Sequence, residues 1–228
     1  MILGQEIPDF QAETDRGKIA SFFEWTAHQW AILFSHPADF TPVCTTELAR
    51  AAQLAPEFEK RGVKLIALSC DSALHHRQWI EDIAVHAGGA VSPSAFPFPI
   101  IADEGLTLAT QLGMIDPDER DAKGQPLSAR AVLVIGPDHR LKLQILYPAT
   151  TGRNFDEILR VVDSLQLTAK HKVATPVDWK VGEKCMVLPT LSHDQAATLF
   201  GDAVETKELP SGKNYLRLTP MPTEAGDA

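Results

Sequence analysis

The 228 residues, 44% of them hydrophobic, suffice for one large domain or a domain with a substantial appendage, and that apolar content excludes disorder over most of the chain. Lys and Arg number 21 against 30 Asp and Glu, a net charge of -9, which excludes an overall attraction to nucleic acid. No apolar run reaches membrane-spanning length and no basic-then-apolar leader opens the chain, so a soluble, cytoplasmic protein is expected, with no membrane partner.

In chain order, Trp30 to Ser35 and Val63 to Ser69 are short apolar runs that read as buried strands. Between them, Thr45 to Arg61 places Leu48, Ala51, Ala55 and Phe58 on one helical face, and Gly62 supplies the stop. The segment therefore predicts a β-α-β unit, its helix beginning at Cys44 and kinked rather than broken by Pro56. Ser72 caps a further helix to about His86. Phe96-Pro97-Phe98-Pro99 reads as a rigid lead into a strand at Pro99 to Ala102, and Glu104 to Leu112 as a shorter helix.

Ala131 to Ile135 and Leu141 to Leu146 flank the turn-rich Gly136-Pro137-Asp138-His139 and predict an antiparallel hairpin. Asn154 then caps Asp156 to Leu165, with Ile158, Val161, Val162 and Leu165 forming an inward stripe. The fold class is α/β, a mixed sheet flanked by helices. Residues 1–168 form the expected main domain. Residues 169–228 form a small α+β extension of short strands, loops and one helix, ending in a polar frayed tail from Pro220. An extension of that size buries little surface alone, so it is expected to dock on the core or on a partner chain, and a homodimer is expected.

The chemistry centres on Cys44, in His36-Pro-Ala-Asp-Phe-Thr-Pro-Val-Cys44-Thr-Thr-Glu-Leu48, where a strand gives way to a helix. The unpartnered amides and positive dipole end of a helix start favour S⁻ over SH, and a thiolate is the nucleophilic form. The blander alternative is a small buried hydrophobe. Thr41 and Glu47 stand where a second cysteine of a C-x-x-C pair would fall, which argues against dithiol exchange. Cys70 closes an apolar strand and reads as inert. Cys185 reads either as a strand start or as a thiol able to resolve an oxidised Cys44. His75 and His76 point about 100° apart on a helix and read as solvated side chains, not chelators, so no metal site is expected.

The run Pro37-x-x-x-Thr41-x-x-Cys44, together with Pro97-Phe-Pro-Ile100, Arg130, Tyr147-Pro-Ala-Thr-Thr-Gly-Arg-Asn-Phe-Asp156, Ala174-Thr-Pro-Val-Asp-Trp179 and Leu209-Pro-Ser-Gly-Lys213, resembles the peroxiredoxins, specifically the one-cysteine branch with a C-terminal extension. The resemblance implies a thioredoxin-like fold and a thiol peroxidase that reduces hydrogen peroxide and organic hydroperoxides without cofactor, metal or haem. It implies Cys44 as nucleophile, Thr41 as a hydrogen-bonding partner of peroxide or thiolate, Pro37 as a shield against water and Arg130 as the active-site cation. It further implies Glu47 and Arg153 as the network that orients Arg130, and His36 as a residue near the pocket. The expected partners are peroxides, an external thiol or other small reductant, and a second copy of the chain, with a larger ring as an alternative assembly. The competing function is a redox sensor or oxidation-dependent holdase. Some relatives in this branch carry a phospholipase activity through a serine, but here Gln29 occupies that position, so no such activity is expected.

Overall fold

The chain opens with a short hairpin that its apolar pattern does not announce. Strands β1 (Ala12–Thr14) and β2 (Gly17–Ile19) pair antiparallel through a turn at Asp15 and Arg16, and Gly17, which opens β2, has a φ of 113° that is open to glycine. Helix α1 (Phe22–Thr26), capped by the Ser21 hydroxyl, leads into β3 (Trp30–Ser35). Then come α2 (Pro42–Lys60), β4 (Val63–Ser69), α3 (Ala73–His86), β5 (Ile100–Ala102) and α4 (Thr107–Gln111). A small ribbon, β6 (Ile115–Arg120) with β7 (Pro126–Ser128), precedes β8 (Arg130–Ile135) and β9 (Leu141–Tyr147).

Seven of these strands form one mixed sheet in the order β2-β1-β5-β4-β3-β8-β9. Strands β3, β4 and β5 run parallel, and β8 and β9 join antiparallel, as the hairpin reading requires. The centre is apolar because β3 and β8 bury nearly every residue, and Leu33, Ile66, Leu68, Ile101 and Leu133 share one core with Phe10 and Phe22. The antiparallel register, with Phe34 opposite Val132, brings the start of β8 beside the end of β3, where the chain turns into α2.

The computed structural model describes residues 1–223, and its chain divides into two compact units, Met1–Phe155 and a second from Asp156 onward. Helix α5 (Phe155–Lys170), longer than the pattern suggested, therefore groups mainly with the C-terminal unit, and the division falls before Thr168. Ile158, Val161 and Val162 are buried and Leu165 is half-buried. The second unit also holds β10 (Val173–Ala174), β11 (Cys185–Val187), α6 (His193–Phe200), β12 (Glu205–Thr206) and β13 (Arg217–Thr219), with the strands in one sheet ordered β10-β11-β13-β12. Trp179 anchors its core with Val173 and Cys185, and Met221 packs against that cluster, so the tail is not frayed at that point. The rest of the tail reading, residues 224–228, lies outside the described residues.

Two helix boundaries differ from expectation for local reasons. Helix α2 starts at Pro42, not at the cysteine, because proline at the first helical position has the right φ and lacks a donor the helix start does not need. It runs unbroken through Pro56. Helix α4 is confined to Thr107–Gln111 because the Asp103 carboxylate accepts from the amides of Thr107, Leu108 and Ala109, fixing the start there.

Candidate active site

Cys44 occupies the third position of α2, in a first turn whose amides lack intrahelical acceptors, and its side chain is fully buried. Arg130, the first residue of β8, places its Nη1 3.3 Å from Cys44 Sγ. The same nitrogen donates to Glu47 Oε2 at 2.9 Å, while Nε and Nη2 donate to the Ala149 carbonyl at 2.9 and 2.6 Å. Glu47 lies one helical turn beyond Cys44 on the same face of α2.

Arg153 completes the arrangement. It donates from its backbone amide and Nε to Glu47 Oε1 at 2.7 and 3.0 Å, and from Nη2 to Glu47 Oε2 at 2.7 Å. Its Nη1 spans the carbonyls of Ser35 and Ala131, both at 2.8 Å, tying the ends of β3 and β8 together, and its guanidinium lies over the ring of Phe34. Arg130 and Glu47 are only 3% and 4% exposed. The site thus contains two desolvated guanidiniums sharing one carboxylate, with the thiol on the side of Arg130 away from Ala149's claims on Nε and Nη2. Burial pushes the Glu47 carboxyl up, but the charge and hydrogen bonds of Arg153, and then the charge of Arg130, bring it below its ordinary range.

Pro37 is buried and Thr41 half-buried. Thr41 precedes α2 with extended backbone, φ -111° and ψ 147°, and its hydroxyl donates to the Ala38 carbonyl at 2.8 Å rather than capping the helix. His36 is fully buried, and its Nε2 meets Asp39 Oδ1 at 2.8 Å. Burial holds the imidazole of His36 below its usual range against the pull of Asp39. Cys44, Glu47, Arg130 and Arg153 therefore form one contact group, while His36 belongs to a neighbouring network.

Asp39 and His76, two members of that network, escaped the sequence reading. His76, expected to be solvated, is completely buried, with Nδ1 2.6 Å from Asp39 Oδ2; His75, by contrast, is exposed. The signal was present, since His76 falls in helical register with Trp79, Ile80 and Ile83 on the buried face of α3. Among the described residues His36, Asp39 and Asp71 also lie close enough together to resemble a cation site. The contacts of His36 and Asp39 are hydrogen bonds within the cluster.

The remaining thiols lie outside this contact group. Burial, with the nearby charges of Asp103 and Asp71, pushes Cys70 up to about 12, so it stays protonated at neutral pH, although it is half-buried rather than fully enclosed. Burial likewise raises Cys185 in the C-terminal unit.

A mixed sheet that delivers a buried cysteine on a helix start to a desolvated arginine is the framework of a thiol peroxidase with a thioredoxin-like fold. The AhpC/TSA family model matches residues 3–144, and the model for the C-terminal domain of 1-Cys peroxiredoxin matches residues 164–202. The chain belongs to the AhpC/TSA family and, within it, to the 1-Cys peroxiredoxins. It is 63% identical to the 1-Cys peroxiredoxin of Onchocerca volvulus over 96% of this chain and 97% of that protein. It is 62% identical to peroxiredoxin-6 of Gallus gallus over 97% of this chain and 98% of the relative. Among solved structures, a cysteine-to-serine mutant of the peroxiredoxin 6 of Arenicola marina superposes with a TM-score of 0.93 at 57% identity, covering 98% of this chain and 99% of that one. A yeast mitochondrial 1-Cys peroxiredoxin, solved to explain thiol resolution through glutathione/thioredoxin systems, gives 0.85 at 41% identity, covering 96% and 99%. The protein is a peroxidase of the oxidoreductase class, and the comparisons favour this reading over the sensor or holdase.

Proposed function

We propose that Cys44 is the peroxide-attacking thiolate and that Arg130 is the cation that prepares it. The observation that carries this reading is the 3.3 Å approach of Arg130 Nη1 to Cys44 Sγ in a site from which both side chains exclude solvent. In such a site a fixed guanidinium favours S⁻ and later meets the charge that develops on the leaving oxygen. The sulfur attacks the terminal oxygen of the hydroperoxide, an S–O bond forms as the O–O bond breaks, and the departing alkoxide or hydroxide takes up a proton, leaving Cys44 as sulfenic acid. Pro37, buried beside the loop, restricts water. Thr41, whose proton is committed to Ala38, offers its oxygen to the peroxide O–H. Glu47 and Arg153 hold Arg130 in place, and His36 supports the loop from behind.

Recovery draws on an external reductant. Two equivalents of a small thiol or a protein thiol convert the sulfenic acid to thiol and water and leave as a disulfide. The upward push that burial gives the Cys70 and Cys185 thiols supports a cycle that needs neither as resolving thiol. The protein acts in the cytoplasm as a homodimer. Supporting the dimer, β9 is an edge strand that the N-terminal segment covers only at Leu141, whose amide and carbonyl bond Gln5 and Gly4, and it exposes Leu146. No helix of the described residues is long and apolar enough to cross a membrane.

The test is single-turnover peroxide consumption by the reduced protein. Cys44→Ser should abolish it, Arg130→Ala should slow it by about 100-fold or more, and the paired replacements Cys70→Ser and Cys185→Ser should leave it intact. Wild-type rates in Cys44→Ser would overturn the assignment.

A further inference from the structure

We propose that His76, acting through Asp39, is a positioning residue for the loop that presents Cys44, and that it does so with both ring nitrogens donating. The proposal rests on the reading of Cys44 as the reacting thiolate and adds a second helix to the machinery that aims it.

His76 has no exposed surface, and each of its nitrogens faces an acceptor: Nδ1 lies 2.6 Å from Asp39 Oδ2, and Nε2 lies 3.1 Å from the Ile101 carbonyl. A neutral imidazole carries one N–H and would turn a lone pair toward one of these acceptors where water cannot intervene. The imidazolium satisfies both and places its charge against Asp39. On the other side of the same carboxylate, His36 Nε2 needs a proton to reach Asp39 Oδ1 at 2.8 Å, while its Nδ1 has no hydrogen-bond partner. The two histidines are therefore not equivalent: His76 is doubly protonated and His36 is the neutral Nε2–H tautomer, with Asp39 bridging them.

The bridge holds the midpoint of the critical loop. Asp39 lies between Pro37 and Thr41, and its backbone amide donates to Asp71 Oδ2 at 2.9 Å, so residue 39 is pinned by backbone and side chain alike. One turn further along α3, Trp79 Nε1 donates to Thr45 Oγ1 at 3.1 Å, and Thr45 adjoins Cys44. The indole also lies against the rings of His36 and Phe40. One face of α3 thus grips both the segment before the cysteine and the first turn that contains it. Although burial pushes the Asp39 carboxyl up, the hydrogen bonds from His36 and His76 bring it to about 2, in keeping with a permanently ionised bridge. In-line attack on an O–O bond tolerates little displacement, so loosening this grip should appear in the chemical step.

His76→Phe keeps a flat ring and removes both donors, and Asp39→Asn keeps the shape and removes the charge. Each variant, shown to be folded by circular dichroism, is expected to consume peroxide in a single turnover about 10- to 100-fold more slowly than wild type. Ring ¹⁵N spectra of the wild-type protein at neutral pH should show two protonated nitrogens on His76 and one bare nitrogen on His36. A folded His76→Phe or Asp39→Asn protein reacting at the wild-type rate overturns the positioning role, and so does a bare nitrogen on His76; should His76→Phe fail to fold, Asp39→Asn and the spectrum decide. Activity surviving in Cys44→Ser would instead sink the cysteine assignment, an outcome to which the nitrogen spectrum is indifferent.

Discussion

At the scale of single residues, the defining economy is that one carboxylate serves two arginines. Glu47 binds the Arg130 nitrogen that faces Cys44 while holding Arg153 across the ends of β3 and β8, so the contact with the thiol and a structural splice share one counter-ion. Glu47→Gln would leave two buried guanidiniums short of a full negative partner, and the expected loss is about 3 kcal/mol at pH 7 by chemical denaturation, with a slower peroxide step. Because the folded carboxyl lies below its usual 4.5, the unfolded chain binds protons first as the pH falls. The contribution of Glu47 is therefore complete above about 4.5 and disappears as the pH drops through the folded value, and the wild-type and Glu47→Gln stability curves should converge there. Parallel curves across that range would mean that the charge of Glu47 does not carry the effect.

At the scale of elements, the site exists because two helices meet the ends of two strands at defined positions. Pro42 starts α2 so that Cys44 falls in the first turn, and the extended Thr41 lets the chain leave β3 and re-enter as helix without spending its hydroxyl on a cap. Helix α3 takes the opposite solution, with the Ser72 hydroxyl accepting from the His75 amide at 3.2 Å. Ser72→Ala should cost about 1 kcal/mol in urea denaturation. Since the same helix presents His76 and Trp79 to the cysteine loop, a local measurement such as amide exchange should show the loss spreading to residues 36–45. Protection unchanged in that loop would mean that the end of α3 is energetically separate from the site.

At the scale of the whole molecule, β9 leaves the seven-stranded sheet with an edge that the N-terminal segment covers only at Leu141, and Leu146 on it is 56% exposed. An edge of that kind invites a second copy of the chain. Leu146→Glu should convert a dimer to monomer in sedimentation velocity at micromolar concentration without unfolding the protein. A wild-type profile that is already monomeric, or a dimer untouched by the charge, removes β9 as the interface.

The central strands and the helices between them were legible because they are long apolar runs or have clear amphipathic spacing. The hairpin β1–β2 and the ribbon β6–β7 were not, since three-residue strands and an Asp-Pro-Asp-Glu run carry no alternation to read. Cys44, Arg130, Glu47 and Arg153 could be named from motif alone, because each sits in a local signature that survives translation into a string of letters. Their shared contact could not, since it depends on the Phe34–Val132 register that brings residues some 86 positions apart to 3.3 Å. His76 divides the same way: its helical register with Trp79, Ile80 and Ile83 marks the buried face of α3, but that it meets Asp39 was decided by the packing of that helix against the loop. What the amino-acid order determined was the local chemistry, a cysteine at a helix start and the side chains able to serve it. Which of them meet, and which protons they must hold, was decided only when burial removed water and left each donor and acceptor with the neighbour that the fold supplied.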